Sequence, residues 1–169
     1  MKKIGIFYGS TTGVTKKIAE KIGAKLKVNP NDIHDICRVG PAAVGEYDIL
    51  LLGSSTWGRG DLQEDWLDFG NGMQALDLSD KTIALFGCGN EKMAKTFCNA
   101  VGKLNEIAKT TGAKIIGQFN AEGFNFKESE AAIPDMPLMK GLVIDEVNHS
   151  NMTDSRIDAW CKLISEEIQ

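Results

Sequence analysis

Four consecutive aliphatic residues, Ile49-Leu50-Leu51-Leu52, constrain the fold of this chain more than any other feature. A strand with one face in water alternates apolar and polar side chains, whereas an unbroken apolar run suits a strand covered on both faces by helices. The same texture recurs at Ile4-Gly5-Ile6-Phe7-Tyr8 and at Ile83-Ala84-Leu85-Phe86, more weakly at 33–37, and begins again at Ile115-Ile116. Between these runs the apolar period becomes helical. Ile18, Ile22 and Leu26 predict a helix over roughly 15–27, and Trp66, Leu67 and Phe69 a short one. Ala94, Phe97, Val101, Leu104 and Ile107 or Ala108 predict a long helix that stops near Gly112. Ile157, Trp160, Cys161, Ile164 and Ile168 predict a last one that starts near Thr153 or Asp154. Strands and helices in strict alternation predict an α/β fold, a doubly wound five-stranded parallel sheet with helices on both faces.

The chain of 169 residues fits a single domain, 1–169, able to bury its own core. One stretch breaks the rhythm: 120–141, rich in Gly, Asn, Glu and Pro, precedes the apolar run Leu142-Val143-Ile144. It reads as an excursion that interrupts the last strand. A net charge of -4 argues against a nucleic-acid partner, whose phosphates require a basic face. Cys37, Cys88, Cys98 and Cys161 form no C-x-x-C pair, so zinc, iron–sulfur and thioredoxin signals are missing. Scattered thiols predict a reducing, cytoplasmic setting. The start of the chain is too short for a signal-peptide core, and no apolar run predicts a membrane span.

In doubly wound sheets ligands bind beyond the carboxyl ends of strands, so the informative loops follow Tyr8, Leu52 and Phe86. The first, Gly9-Ser10-Thr11-Thr12-Gly13-Val14-Thr15, crowds four hydroxyls between and beside two glycines at a helix start. Free N–H groups and the helix dipole there favour an anion. A well-capped helix is the plainer explanation, but one cap uses one hydroxyl. The P-loop pattern fails because Val14, not lysine, follows Gly13, and no G-x-G-x-x-G occurs here.

The second loop, Gly53-Ser54-Ser55-Thr56-Trp57-Gly58-Arg59-Gly60-Asp61, is polar and glycine-rich around one tryptophan. Trp57 either packs into a core or interface, or offers a flat face to a large π system beside the phosphate loop. The third, Gly87-Cys88-Gly89-Asn90, ends the Ile83–Phe86 run.

These loops together resemble those of the flavodoxin family. Tyr8-Gly9-Ser10-Thr11-Thr12-Gly13-Val14-Thr15 is similar to its phosphate-loop signature, and Ser55-Thr56-Trp57-Gly58 to the loop whose tryptophan stacks on the flavin. The resemblance implies FMN as cofactor, with Ser10 to Thr15 around its phosphate, Ser55, Thr56, Trp57, Gly58, Arg59 and Gly60 along the ring, and Cys88, Gly89, Asn90 and Met93 on the pyrimidine side and second face. Asn90 stands where relatives often carry Asp and offers its amide oxygen to the flavin N3–H without charge. Met93 stands near a frequent tyrosine and either covers the ring or belongs to the helix core. Val147 replaces an acidic residue, so that contact is not carried over, and Cys88 reads as a small filler rather than a reactive thiol. The peptide joining Gly58 to Arg59 is implied to turn its carbonyl towards the flavin on reduction, which would strain any residue with a Cβ. The excursion at 120–141 resembles the insertion of long-chain members.

The resemblance further implies a monomeric, low-potential one-electron carrier rather than an enzyme. Its partners would be a flavodoxin or ferredoxin reductase, or a 2-oxoacid oxidoreductase, together with reductive acceptor enzymes. No acid–base or nucleophilic constellation is visible: His34 and His149 stand isolated, and no metal ligand set is apparent. One alternative is an FMN-dependent NAD(P)H:quinone reductase of the same fold. A receiver module of similar fold needs acids at the first and third strand ends, where this chain has Tyr8-Gly9 and Ser54-Ser55.

Overall fold

The computed structural model describes residues 1–93 and 95–169, so Ala94, assigned to a helix by periodicity, lies outside the described residues. β1 (Ile4–Gly9) runs parallel to β3 (Ile49–Trp57), with Ile4 opposite Ile49 and Gly9 opposite Ser54. β2 (Ile33–Asp35) flanks β1 on its other side, and β5 (Thr82–Cys88) flanks β3. Leu50 and Leu52 join Phe7, Ile83 and Leu85 in one core, while Ile49 and Leu51 join Ile6, Ala84 and Phe86 in the other. Successive side chains of a strand point to opposite faces. Both faces are buried here, so the run has no polar position to spare.

α2 (Trp66–Gln74) and α3 (Asn99–Thr110) cover the first core; α1 (Val14–Lys25) and α4 (Thr153–Glu167) cover the second. Trp66 and Trp160 are the largest side chains fully buried on the two faces. Each indole N–H is satisfied by a backbone carbonyl, Trp66 by Gly53 at 2.9 Å and Trp160 by Gly117 at 2.8 Å.

The sheet order is β2-β1-β3-β5, followed by two short segments sharing the next position. β6 (Lys114–Ile116) pairs with the start of β5, and β7 (Leu142–Ile144) pairs with its end, Phe86 to Cys88. The parallel core thus has five strand positions, the fifth split by residues 117–141. β4 (Asp61–Leu62) adds a short antiparallel hairpin arm to β3. From β1 the chain steps outward to β2 and returns past β1 to β3, so strand order reverses between β1 and β3.

The excursion is anchored from α4. Buried Arg156 donates to the carbonyls of Val143 at 3.0 Å and Asn120 at 2.7 Å, and its guanidinium lies over the rings of Phe119 and Phe124. Burial brings its pKa down to about 10, which still leaves it charged at neutral pH. Phe124 and Phe126 pack on Phe97. Phe97 itself precedes the helix. Before it the Met93 N–H bonds the Asn90 carbonyl, Thr96 N–H that of Met93 and Asn99 N–H that of Thr96, and Cys98 breaks the path at φ +51. Turns of three residues mimic helical spacing in the sequence, which is why the expected helix began too early.

Candidate functional site

A cleft of about 330 Å³ opens beyond the carboxyl ends of β1, β3 and β5, beside the point where strand order reverses. Its walls are Thr12 and Val14 after β1, Ser55, Thr56, Trp57 and Gly58 around the end of β3, and Cys88, Gly89, Asn90 and Met93 after β5. Thr96, Glu146 and Val147 complete it. Those three were not assigned from sequence. Val147 had been set aside as a lost acidic contact, yet it stands on the wall with 72% of its surface exposed.

The second loop is more regular than its composition suggests. β3 continues to Trp57 and pairs back, Thr56 opposite Leu62 and Trp57 opposite Asp61. The turn closes with the Gly60 N–H on the Trp57 carbonyl at 3.0 Å. Gly58 stands at φ +51, a left-handed angle that disfavours any residue with a Cβ. That requirement belongs to the turn itself, so the strain of a substitution does not wait for reduction. Arg59 is exposed, and buried Gly60 packs on Asn99; neither lines the cleft.

Trp57 is not core. The residue is 40% exposed, and its indole N–H is held on Ser55 Oγ at 2.7 Å. It stands between the cleft and a second hollow lined by Thr11, Asp61, Leu62 and Glu64. Met93, 55% exposed, sits in the turn after β5 on the cleft wall, which removes the helix-core explanation for it.

The first loop divides its hydroxyls. Ser10 Oγ accepts the Gly13 N–H at 3.0 Å, and Thr11 Oγ1 accepts the Gln63 amide at 3.2 Å. Thr12 is exposed and faces the cleft. Thr15 is fully buried against Cys88, Oγ1 to Sγ 3.4 Å, and does not reach the cleft. None of them caps α1: Gly13, at φ +92, is the N-cap residue, and no side-chain cap bond forms among the described residues. The first N–H groups of α1 are therefore left for a ligand or water. Apart from Gly13 itself and its two chain neighbours, no described atom lies within 4 Å of where a Cβ on Gly13 would stand. The capping explanation for the hydroxyls fails on this geometry.

Three further features belong to the third loop and the residue after it. Burial pushes the Cys88 thiol up to about 11, so it is protonated at neutral pH and is no nucleophile. Asn90 lines the cleft, but its amide oxygen is already engaged by the Lys92 N–H at 2.9 Å and the Asn148 amide at 2.7 Å. Glu91, next in the chain, bonds His149 Nε2 at 2.7 Å and accepts the Asn125 N–H at 2.7 Å. The Asn125 bond is the first cause holding its carboxyl below the usual range, although some burial opposes it.

A doubly wound sheet, an uncapped helix start and an exposed tryptophan around one cleft define a nucleotide-binding α/β domain. Comparison with known proteins narrows this class. The flavodoxin family model matches residues 6–160. The chain is 39% identical to the flavodoxin of Haemophilus influenzae, covering 99% of this chain and 97% of that one. It is 41% identical to flavodoxin 1 of Escherichia coli strain K12, covering 97% and 93%. A crystal structure of Fusobacterium nucleatum flavodoxin bound to flavin mononucleotide superposes with a TM-score of 0.89 at 27% identity, covering 99% of both chains. This chain belongs to the flavodoxin family.

Proposed function

We propose that the cleft binds FMN non-covalently and that the protein carries electrons singly, at low potential, between redox enzymes. The observation that carries this reading is the meeting of two unlike features on one cleft: the uncapped start of α1 and the exposed face of Trp57. An anion site and a π platform on one cleft suit a phosphorylated flavin. FMN, when bound, supplies the one-electron chemistry.

The residues then divide the work. The N–H groups at the start of α1 with the Thr12 hydroxyl, and Ser10, Thr11 and Gly13 behind them, hold the phosphate end; Thr15 supports the loop from below through Cys88. Val14, Ser55, Thr56, Trp57 and Gly58 border the ring, and Gly89, Asn90 and Met93 close the other side, with Arg59 and Gly60 shaping the turn. Glu146 at the wall, and Asp61 and Glu64 behind Trp57, disfavour added negative charge on the cofactor and lower its potential.

The whole chain serves as one FMN-binding domain of the long-chain type, a reading supported by residues 117–141 inserted between β6 and β7. It works as a cytoplasmic monomer without nucleic-acid or membrane partners. Its donors are a flavodoxin or ferredoxin reductase or a 2-oxoacid oxidoreductase, and its acceptors reductive enzymes. No helix among the described residues is long and apolar enough to cross a membrane. A quinone reductase of this fold would oxidise NAD(P)H unaided. The purified protein with FMN is expected to show no steady-state NAD(P)H oxidation until a reductase is added; turnover by the protein alone would replace the carrier with the enzyme.

A further inference from the structure

We propose that Asn90 meets the flavin as a hydrogen-bond donor, directing a side-chain N–H at a carbonyl oxygen of the pyrimidine ring. This rests on FMN occupying the cleft. It reverses the role the sequence offers for this residue, an acceptor for N3–H.

The sense of every bond around Asn90 follows from groups that have no choice. The backbone N–H of Lys92 can only donate, so the Asn90 atom 2.9 Å from it is the oxygen. The Asn148 side chain lies 2.9 Å from Asp145 Oδ2, a buried carboxylate oxygen that also accepts the Glu91 N–H at 3.0 Å. The Asn148 atom facing that carboxylate is therefore its nitrogen, and the same nitrogen donates to Asn90 Oδ1 at 2.7 Å. Neither amide can be turned over without setting a donor against a donor or an oxygen against a carboxylate. A carbonyl oxygen has two lone pairs, and both of those on Asn90 Oδ1 are used.

What Asn90 has left is its Nδ2, with two N–H bonds and no partner among the described residues. Asn90 lines the cleft and is only partly buried. A ligand edge here is met by a donor and must present an acceptor. The pyrimidine edge of a flavin reads carbonyl, N3–H, carbonyl. A donor suits either carbonyl and is opposed by N3–H. Those oxygens gain electron density as the ring is reduced, so a donor beside one favours reduction, where an acidic side chain would resist it. Asn148, held by Asp145, is the positioning residue for this orientation.

The test uses FMN carrying 13C at C2 or C4 and the variants Asn90→Asp and Asn90→Ala. Asn90→Asp keeps an oxygen for Lys92 and Asn148 but lacks the donor. One carbonyl carbon is expected downfield in the native protein relative to both variants. FMN affinity should fall about two- to tenfold in Asn90→Ala, as for one lost neutral hydrogen bond. In 15N-labelled native protein, an Asn90 side-chain N–H should move downfield and exchange more slowly when FMN is added, a readout that needs no variant to fold. Carbonyl carbons that coincide in native and Asn90→Asp protein, with the Asn90 amide unmoved by FMN, would overturn the donor role while leaving FMN binding intact. Failure of the native protein to quench FMN fluorescence would instead remove the FMN reading beneath it, and the inference with it.

Discussion

The carboxylate of Asp145 accepts the backbone N–H of Glu91 at 3.0 Å, joining the loop after β5 to the loop after β7. The same buried side chain accepts the N–H groups of Val147 at 3.0 Å and Asn148 at 2.9 Å, and the Asn148 side chain at 2.9 Å. Asp145→Ala would leave these donors unpaired in an enclosed site. An unfolding free energy lower by about 3 kcal/mol is expected in urea titrations, since bonds to charged groups are worth more than neutral ones. Asp145→Asn, which keeps one oxygen, should lose less. Equal small losses for both would mean that the loops hold together without it.

The hydroxyls of the first loop make a selective prediction. Thr12 faces the cleft while Thr15 is buried on Cys88, so the two valine variants should differ. Thr12→Val is expected to weaken FMN several-fold, by about 1 kcal/mol, and to leave riboflavin nearly unchanged. Thr15→Val should affect both ligands alike, through the loop. Titration of flavin fluorescence with each ligand measures this, and equal loss of FMN and riboflavin in Thr12→Val would sink the phosphate assignment.

How much of this was legible in the sequence follows from how local each signal is. Ile49-Leu50-Leu51-Leu52 announced a strand buried on both faces, and its residues divide between the two cores in turn. The three loops were found because a strand end followed by glycine and hydroxyl residues needs no knowledge of distant contacts. Residues that act through partners far along the chain were not legible. Thr15 was grouped with the phosphate contacts because only its pairing with Cys88, 73 residues away, reveals it as buried. The bonds to Asn90 Oδ1 come from Lys92 and from Asn148, 58 residues on, and nothing in the local string shows that the oxygen is taken. The hairpin at Trp57 was read as loop because its partner strand is only Asp61–Leu62.

Gly58 supports a prediction about strain. Its φ of +51 belongs to a turn closed by Gly60 on Trp57, so an added Cβ costs energy in the oxidised protein already. Gly58→Ala is expected to lower the unfolding free energy of the oxidised protein by about 1 kcal/mol. Only the remainder of its effect should appear as a lower potential for the first electron. Potentiometry beside urea unfolding separates the two. Unchanged stability with a clearly lowered potential would shift the glycine requirement wholly onto the peptide turn that accompanies reduction.

Partner docking should respond to salt. The chain carries a net charge of -4, with Glu146 on the cleft wall and Asp61 and Glu64 in the hollow behind Trp57. Raising ionic strength from low to physiological is expected to slow electron transfer from a reductase with a basic docking face. A stopped-flow rate indifferent to salt would assign docking to the exposed apolar side chains instead, Trp57, Met93 and Val147.

The most direct test of the central claim is the identity of the flavin that the purified protein holds. The absorption spectrum should show a bound flavin at one equivalent per chain. Denaturation should release FMN, identified by its chromatographic mobility and by fluorescence that does not rise on phosphodiesterase treatment. The uncapped start of α1 and the exposed face of Trp57 serve one phosphorylated flavin in this account. Release of FAD, or a colourless protein that leaves the fluorescence of added FMN unquenched, would contradict it.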